Sequence, residues 1–325
     1  MTTNRQLLLA KRPHGMVDSS VVQLAETPAP EPGEGQALVK VQWLSIDPTI
    51  RTWMDDRPGY LPPIGIGEVV RGGGMGEVVA SRSSRYSVGD AVYGMTGWQD
   101  YLLVGDGAVD AQVLPLGVEP GAVLNLFGVN GMTAYYGLLD VGAMREGDTV
   151  VVSGAAGATG SLVGQIARVR GAGRVVGIAG GAEKCAFVVD ELGFDAAVDY
   201  KHDDVAAALR QHCPEGIDLY FDNVGGEILD ICLGQLAMRG RVVLCGAISA
   251  YNAEGRPTGP ANVSNLIIRR GRMEGFIILD YMERFAAAQL ELAGWLAEGR
   301  LHHREHVVDG LEHAGEALNV LFTGG

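Results

Sequence analysis

The 325-residue sequence has no surplus of positive charge. Its 25 lysines and arginines face 39 aspartates and glutamates, a formal net charge of −14. That argues against non-specific nucleic-acid binding, which draws its affinity from a basic surface set against phosphates. No apolar run approaches the ~20 residues needed to span a bilayer. The opening stretch MTTNRQLLLAKRPHG holds only a four-residue apolar run, too short for a signal-peptide core. No nucleic-acid or membrane partner is therefore expected, and a cytoplasmic location is the default. Cysteine is scarce: Cys185, Cys213, Cys232 and Cys245 are widely separated, with no C-x-x-C pair. Small buried thiols are expected, not a zinc lobe. Histidines cluster once, in LHHREHVV, where Arg304 and Glu305 lie among His302, His303 and His306. That stretch reads as an exposed turn leading into a strand. There is no internal repeat and no low-complexity tract.

What is present divides in two. A length of 325 residues with 47% hydrophobic content suits two soluble domains. The first ~120 residues read as short strands at close spacing with many glycine turns, the texture of a barrel or sandwich. QALVKVQWLSID is a clear strand, GEVVRGGGMGEVVAS reads as two strands split at its glycines, and YSVGDAVYGMTGWQDYLLV continues the pattern. The texture changes near Gly121, where AVLNLFGVNGMTAYYGLLDVG is helical in pattern. From Val150 apolar strands alternate with helices: TVVVSG, GSLVGQIARVRG, RVVGIAG, EKCAFVVDELG, AAVDY, DVAAALRQHC, IDLYFDNVG, GEILDICLGQLAMRG, RVVLCGA. Such alternation predicts a parallel sheet covered on both faces. ERFAAAQLELAGWLAEGR reads as a further helix, and HVVDGLEHAGEALNVLFTGG as a strand, a helix and the start of a strand.

Gly154, Gly157 and Gly160 follow a strand and open a helix. Glycine turns sharply without steric cost and lets a pyrophosphate approach the backbone. The helix N-terminus then turns free N–H groups and a positive dipole end towards that phosphate. Gly164, one turn on, leaves room for close helix packing. The second strand bears on which nucleotide binds. An NAD site carries an acid at its end, for the ribose hydroxyls, whereas RVVGIAG ends at Gly180–Gly181 and is followed by Glu183 and Lys184. A 2′-phosphate attracts a cation there and repels an acid, so the pattern favours NADP (NADPH). The competing reading of Lys184 is a solvated lysine in a first helical turn.

This pattern resembles the medium-chain dehydrogenase/reductase superfamily, a β-rich N-terminal domain followed by AAGATGSLVGQIA. Within it, DNVGGEILD, RGRVVLCGAISAYN and RMEGFIILDY resemble the zinc-independent branch of leukotriene B4 dehydrogenases, prostaglandin reductases and alkenal double-bond reductases. The likeness runs from LSIDPTIRTWM through HVVDGLEHAGEAL. It implies an α/β chain: a GroES-like β-rich catalytic domain over residues 1–122, completed by about 296–325, and a Rossmann doubly wound parallel-sheet cofactor domain over 123–295. It also implies a cleft between them and a homodimer. The zinc-dependent cousins use a cysteine in the first strands and a G-H-E motif. The corresponding SIDPTIR and PIGIGEVV contain neither cysteine nor histidine, so no metal is expected.

In this branch hydride passes from NADPH to the β-carbon of a small enone or enal, an α,β-unsaturated ketone or aldehyde. By motif match, Gly157, Ala158, Thr159, Gly160 and Ser161 lie at the pyrophosphate, and Lys184 and Tyr200 at the 2′-phosphate. Asn223 and the run Cys245, Gly246, Ala247, Ile248, Ser249 border the nicotinamide, with Phe276, Ile277 and Thr133 close by. Tyr251 matches the tyrosine assigned to the enolate oxygen, the α-carbon proton coming from it or from water. Thr49, Tyr60 and Trp98 are expected near the substrate. Many members of the branch carry a tyrosine where Thr49 stands, which separates this pocket from a prostaglandin-specific one. Two other readings stay open: an NADPH quinone oxidoreductase of the zeta-crystallin type, and a non-catalytic NADP-binding protein.

Overall fold

The computed structural model describes residues 2–115, 117–253 and 258–324. Its contacts divide the chain into two units. The first comprises Met1–Leu124, Tyr251–Glu254 and Glu305–Gly325; the second comprises Asn125–Ala250 and Gly255–Arg304.

The first unit is built on two antiparallel sheets. Strands β1 (Thr3–Leu9) and β2 (Val22–Pro28) form a pair. The other sheet holds β3 (Gln36–Leu44), β4 (Gly74–Ser81), β5 (Ala91–Gly94), β6 (Tyr101–Gly105) and β7 (Ala111–Val113), in the order β6-β3-β4-β5-β7. Alternation sets the faces: Ala37, Val39, Val78, Val92, Leu102 and Val104 point into one core with Tyr86. A second core joins Leu7 and Leu9 to Ile50, Met54, Trp98 and Leu318. Its Ile50 comes from the short helix α1 (Thr49–Trp53), and α2 (Pro120–Leu124) closes this part of the chain.

Three details of this unit differ from the sequence reading. The GEVVRGGG half of the expected strand pair stays irregular, and Val69 makes only an isolated bridge to Leu8. His306–Val308 form no strand, since no neighbouring strand pairs with them. The final VLFT is helical, because Ala314 and Leu318, one turn apart, are buried in the second core and hold helix Ala314–Thr323 against it. Gly324 ends that helix in the left-handed region at φ 75°; Gly325 lies outside the described residues.

The second unit is a six-stranded parallel sheet. Its strands are β8 (Thr149–Ser153), β9 (Arg174–Ala179), β10 (Ala196–Asp199), β11 (Ile217–Asp222), β12 (Leu236–Leu244) and β13 (Arg272–Gly275), in the order β10-β9-β8-β11-β12-β13. This is the doubly wound Rossmann order, with its reversal between β8 and β11. Continuous apolar strands follow from burial on both faces. Val150 and Val152 point to one core, with Leu219 and Phe221, while Val151 points to the other, with Val176 and Tyr220. Helices α3 (Val129–Tyr136), α4 (Ala158–Val169), α5 (Ala182–Ala186), α6 (Val205–His212), α7 (Gly226–Gly234), α8 (Asn265–Arg269) and α9 (Phe285–Ala297) complete the unit.

One boundary was misplaced by sequence pattern. GEILDICLGQLAMRG reads as one helix, but α7 stops at Gly234 and Leu236–Arg239 open β12. Leu236 pairs with Ile217 of β11 and is buried. Strand pairing therefore overrides the helical preference of Leu-Ala-Met. At the opposite end of the sheet from the glycine loop, Arg241 bonds Asp148 at 2.6 Å, and both side chains are nearly buried.

The close packing expected at Gly164 is present, but its partner is a ring. A Cβ added there would lie 1.8 Å from Phe194 Cζ. Gly164→Ala is therefore expected to destabilise the protein by ~1–3 kcal/mol through overpacking. Adding Phe194→Leu should recover part of the loss in urea unfolding; equal stability of wild type and Gly164→Ala would contradict this packing.

Candidate active site

The C-terminal ends of β8, β9 and β11 lie beside one another and turn into loops rich in glycine. After β8 the chain reverses through Gly154, at φ 61°, a conformation that side chains rarely adopt. The Gly157 N–H donates to the Gly154 carbonyl at 3.0 Å. Gly160 packs on the same carbonyl, which a Cβ would approach to 2.3 Å. Gly157 is the N-cap of α4 and brings no side chain to its opening amides, leaving those donors to solvent or a ligand. The neighbouring side chains fix the helix instead. Ser161 Oγ donates to the Ala158 carbonyl at 3.0 Å, and Thr159 Oγ1 donates to Asn130 Oδ1 of α3 at 3.1 Å. Expected residues Gly157, Ala158, Thr159, Gly160 and Ser161 thus form one helix opening.

Across the reversal point, Asp222 organises the end of β11. Its Oδ1 accepts from Ser153 Oγ at 3.1 Å, Tyr220 OH at 2.7 Å, Val224 N–H at 3.0 Å and Gly225 N–H at 2.8 Å. Burial pushes the carboxyl upward, opposed by these donors, and Oδ2 has no partner among the described residues. The turn that Asp222 holds carries Asn223. The Asn223 N–H donates to Ser153 Oγ at 3.0 Å and its Nδ2 to the Ser153 carbonyl at 2.7 Å. A Cβ on Gly154 would lie 3.5 Å from Asn223 Cβ, so this side chain stands beside the glycine loop.

The stretch after β12 is laid along the same turn. Cys245 and Gly246 N–H groups donate to the Asp222 carbonyl at 2.9 and 3.0 Å. Ile248 N–H donates to the Asn223 carbonyl at 3.3 Å and Ser249 N–H to the Val224 carbonyl at 3.2 Å. Ala247 lies against Gly225. Burial raises the Cys245 thiol to about 12, so it is neutral near neutral pH and not a nucleophile. Thr133 is half-buried on α3. Phe276 and Ile277 follow β13, and the Phe276 ring presses on Gly137 just beyond α3.

At the end of β9, Gly181 has φ 92° and opens α5, which carries Lys184. Burial lowers the Lys184 ammonium, and the nearby ammonium of Lys201 lowers it further. Tyr200 is 46% exposed, and its N–H donates to the Ala179 carbonyl at 3.0 Å. Asp199 ties the two loops together. Its Oδ1 accepts Gly181 N–H at 2.7 Å and Lys201 N–H at 3.0 Å, while Oδ2 meets His202 Nδ1 at 2.7 Å. The Gly181 amide, then His202, hold this carboxyl at about 2, against an ordinary 3.8. Sequence reasoning missed Asp199, Lys201, Asp222, Ser153 and Tyr220. Each acts through contacts between strand ends that are far apart in sequence.

In the first unit, Thr49 and Tyr60 share a hydrogen bond of 2.6 Å between hydroxyls, and Tyr60 stands edge-on to Trp53. Trp98, expected beside the substrate, is fully buried in the core with Leu9 and Ile50. It reaches no accessible surface and therefore lines no pocket. Tyr251 is half-buried, directly after the short turn Ile248–Ala250. No group of three or more His, Cys, Asp or Glu residues capable of holding a metal occurs among the described residues. No helix among them is long and apolar enough to cross a membrane.

Comparison with known proteins bears on the family. Residues 5–112 match the N-terminal domain of oxidoreductases, and residues 158–293 match the family described as zinc-binding dehydrogenases. The chain is 43% identical over 327 residues to the NADPH-dependent curcumin reductase of Escherichia coli, covering 99% of this chain and 94% of that protein. It therefore belongs to the medium-chain dehydrogenases/reductases. Within this family its likeness lies with the zinc-independent reductases. It is 36% identical to the NADP(+)-dependent 2-alkenal reductase of Nicotiana tabacum over 328 residues, covering 99% and 95% of the two chains. The crystal structure of CurA from Vibrio vulnificus in complex with NADPH is 44% identical, with a TM-score of 0.93, and the match covers 98% of this chain and 96% of that one.

Two expected outcomes follow from the strand ends of this family member. Asp222→Ala leaves two hydroxyls and two amides without their acceptor, and a loss above ~3 kcal/mol is expected in urea unfolding. A loss below ~1 kcal/mol would show that the carboxylate does not hold the turn. Because the folded state lowers the Asp199 carboxyl, its ionised form stabilises the protein above pH 3.8, and this contribution is lost as pH falls from 3.8 to about 2. Asp199→Asn should flatten that segment of the acid-unfolding curve; an unchanged slope would count against the pairing.

Proposed function

We propose that this protein, an NADP-dependent oxidoreductase, uses NADPH to reduce the carbon–carbon double bond of α,β-unsaturated ketones and aldehydes. The carrying observation is the end of β9, where no acid occupies the position at which an NAD site holds the ribose and where Lys184, Lys201 and Tyr200 gather instead. The glycine loop fits a pyrophosphate on the same edge of the sheet, since the α4 opening offers backbone amides without a side-chain cap. Relatives named for reducing curcumin and 2-alkenals support an activated alkene as substrate.

When bound, NADPH supplies a hydride. Addition of hydride to the β-carbon leaves negative charge on the carbonyl oxygen of the substrate. A preorganised donor facing such an oxygen is worth ~3 kcal/mol of barrier. In our reading Tyr251 is this donor, through its phenolic O–H. Asn223 and residues 245–249 border the nicotinamide end, tied to one another through the Asp222 and Asn223 carbonyls. Thr49 and Tyr60 remain our candidates for contact with the substrate, two hydroxyls held together by a shared hydrogen bond.

Following NADPH absorbance with a panel of enones, enals and quinones tests this reading, with NADH as the control. Enones and enals should be turned over faster than quinones, and a chelator should leave the rate unchanged. Preference for quinones would move the protein to a quinone reductase; no stimulated oxidation by any substrate would remove the catalytic reading. Tyr251→Phe is expected to lower kcat at least about tenfold, equivalent to ~1.4 kcal/mol, while NADPH affinity is kept. A rate near wild type would take the tyrosine out of the mechanism.

A further inference from the structure

We propose that Lys201 is a second specificity residue for the cofactor's 2′-phosphate, closing on it together with Lys184 and Tyr200 at the end of β9. This rests on the NADPH reading above and adds a residue to it. The sequence position is uninformative, since Lys201 begins an exposed polar run, KHDD, after the third strand of the sheet. The tertiary structure turns that run back over the second strand. Tyr200 N–H reaches the Ala179 carbonyl at 3.0 Å, and Asp199 Oδ1 accepts from both Gly181 N–H and Lys201 N–H. Residues 199–201 are therefore stitched to residues 179–181.

The side chains follow the backbone. A Cβ placed on Gly180 would lie 2.7 Å from Tyr200 Cε1 and 3.0 Å from Lys201 Cε. The Lys201 chain thus lies against Gly180, at the end of the strand where an NAD site would carry an acid. No ion pair of the Lys201 ammonium with a carboxylate occurs among the described residues, and Asp199, two residues before it, is occupied by two amides and His202. Lys184 senses the second cation, which depresses its ammonium after burial does.

Two ammonium groups gathered at one strand end favour an anion placed beside both of them. A phosphate monoester carries about −1.5 to −2 charge near pH 7, enough to attract both. Lysine suits this task as a compact point charge on a flexible stem. NADH has a hydroxyl at that position, so Lys201 should act on one cofactor and not the other. Tyr200 contributes a phenol beside the same strand end, and Gly180 is the residue whose missing side chain makes room for both.

The test is a fluorescence titration of the full-length protein with NADPH and with NADH, for wild type, Lys201→Met and Lys201→Arg. Methionine keeps the length of the stem and removes the charge. Lys201→Met should raise the Kd for NADPH by about fivefold to twentyfold, the loss of one charged contact, with the Kd for NADH unchanged within about twofold. Lys201→Arg should retain most of the preference. Inhibition by 2′,5′-ADP should weaken by the same factor, inhibition by 5′-AMP should not, and kcat at saturating NADPH should stay at its wild-type value. Equal weakening for both cofactors would show a distorted turn, and no change for either would show a solvated surface lysine; each overturns the assignment. If wild type itself does not prefer NADPH to NADH, the NADPH reading fails. If wild type prefers NADPH and Lys201→Met keeps that preference, Lys201 alone is wrongly assigned.

Discussion

The candidate site depends on one buried carboxylate. Asp222 gathers four donors on a single oxygen, from β8, from β11 and from the turn that follows β11. Its own carbonyl collects two more, from the stretch after β12. Three consecutive strand ends are thereby locked together at the place where the sheet reverses its order. Burial makes this charge costly, which is why so many donors converge on it. Asn223, the glycine loop and residues 245–249 are held in place by a group that need touch no ligand.

A second carboxylate performs a similar task one strand further out. Asp199 fastens the loop after β10 to the loop after β9, and two backbone amides and a histidine keep it ionised. A chain with an acid on β9 itself would have directed that charge at the ribose. Here the acid comes from β10 and is turned inward to the backbone. The same two loops also carry Lys184, Lys201 and Tyr200, with Tyr200 and Lys201 packed beside Gly180.

Much of the fold was legible because its signals are local. The valine runs of β8 and β9 are apolar on both faces, as a covered parallel strand must be, and the glycines at 154, 157 and 160 mark a strand-to-helix turn whatever surrounds it. Local reading failed where pairing decided the outcome. Leu236–Arg239 have helical preference but are drawn into β12 by β11, and the final VLFT is held helical by two buried residues one turn apart. Trp98 looked like a pocket residue because aromatic side chains serve both roles, and only packing shows that this one fills a core.

The sequence by itself determined that a glycine loop opens α4, that β9 ends without an acid, and that a tyrosine follows the stretch after β12. These are matters of residue type at fixed spacing, and the local geometry of glycine and the charge of lysine carry them. The tertiary structure decided which residues meet: Ser153 with Asp222 across 69 positions, and Gly181 with Asp199 across 18. Parallel strands are joined by helices, so the loops at one sheet edge are neighbours in space and distant in the chain. Contacts made there depend on strand order, which no short motif encodes.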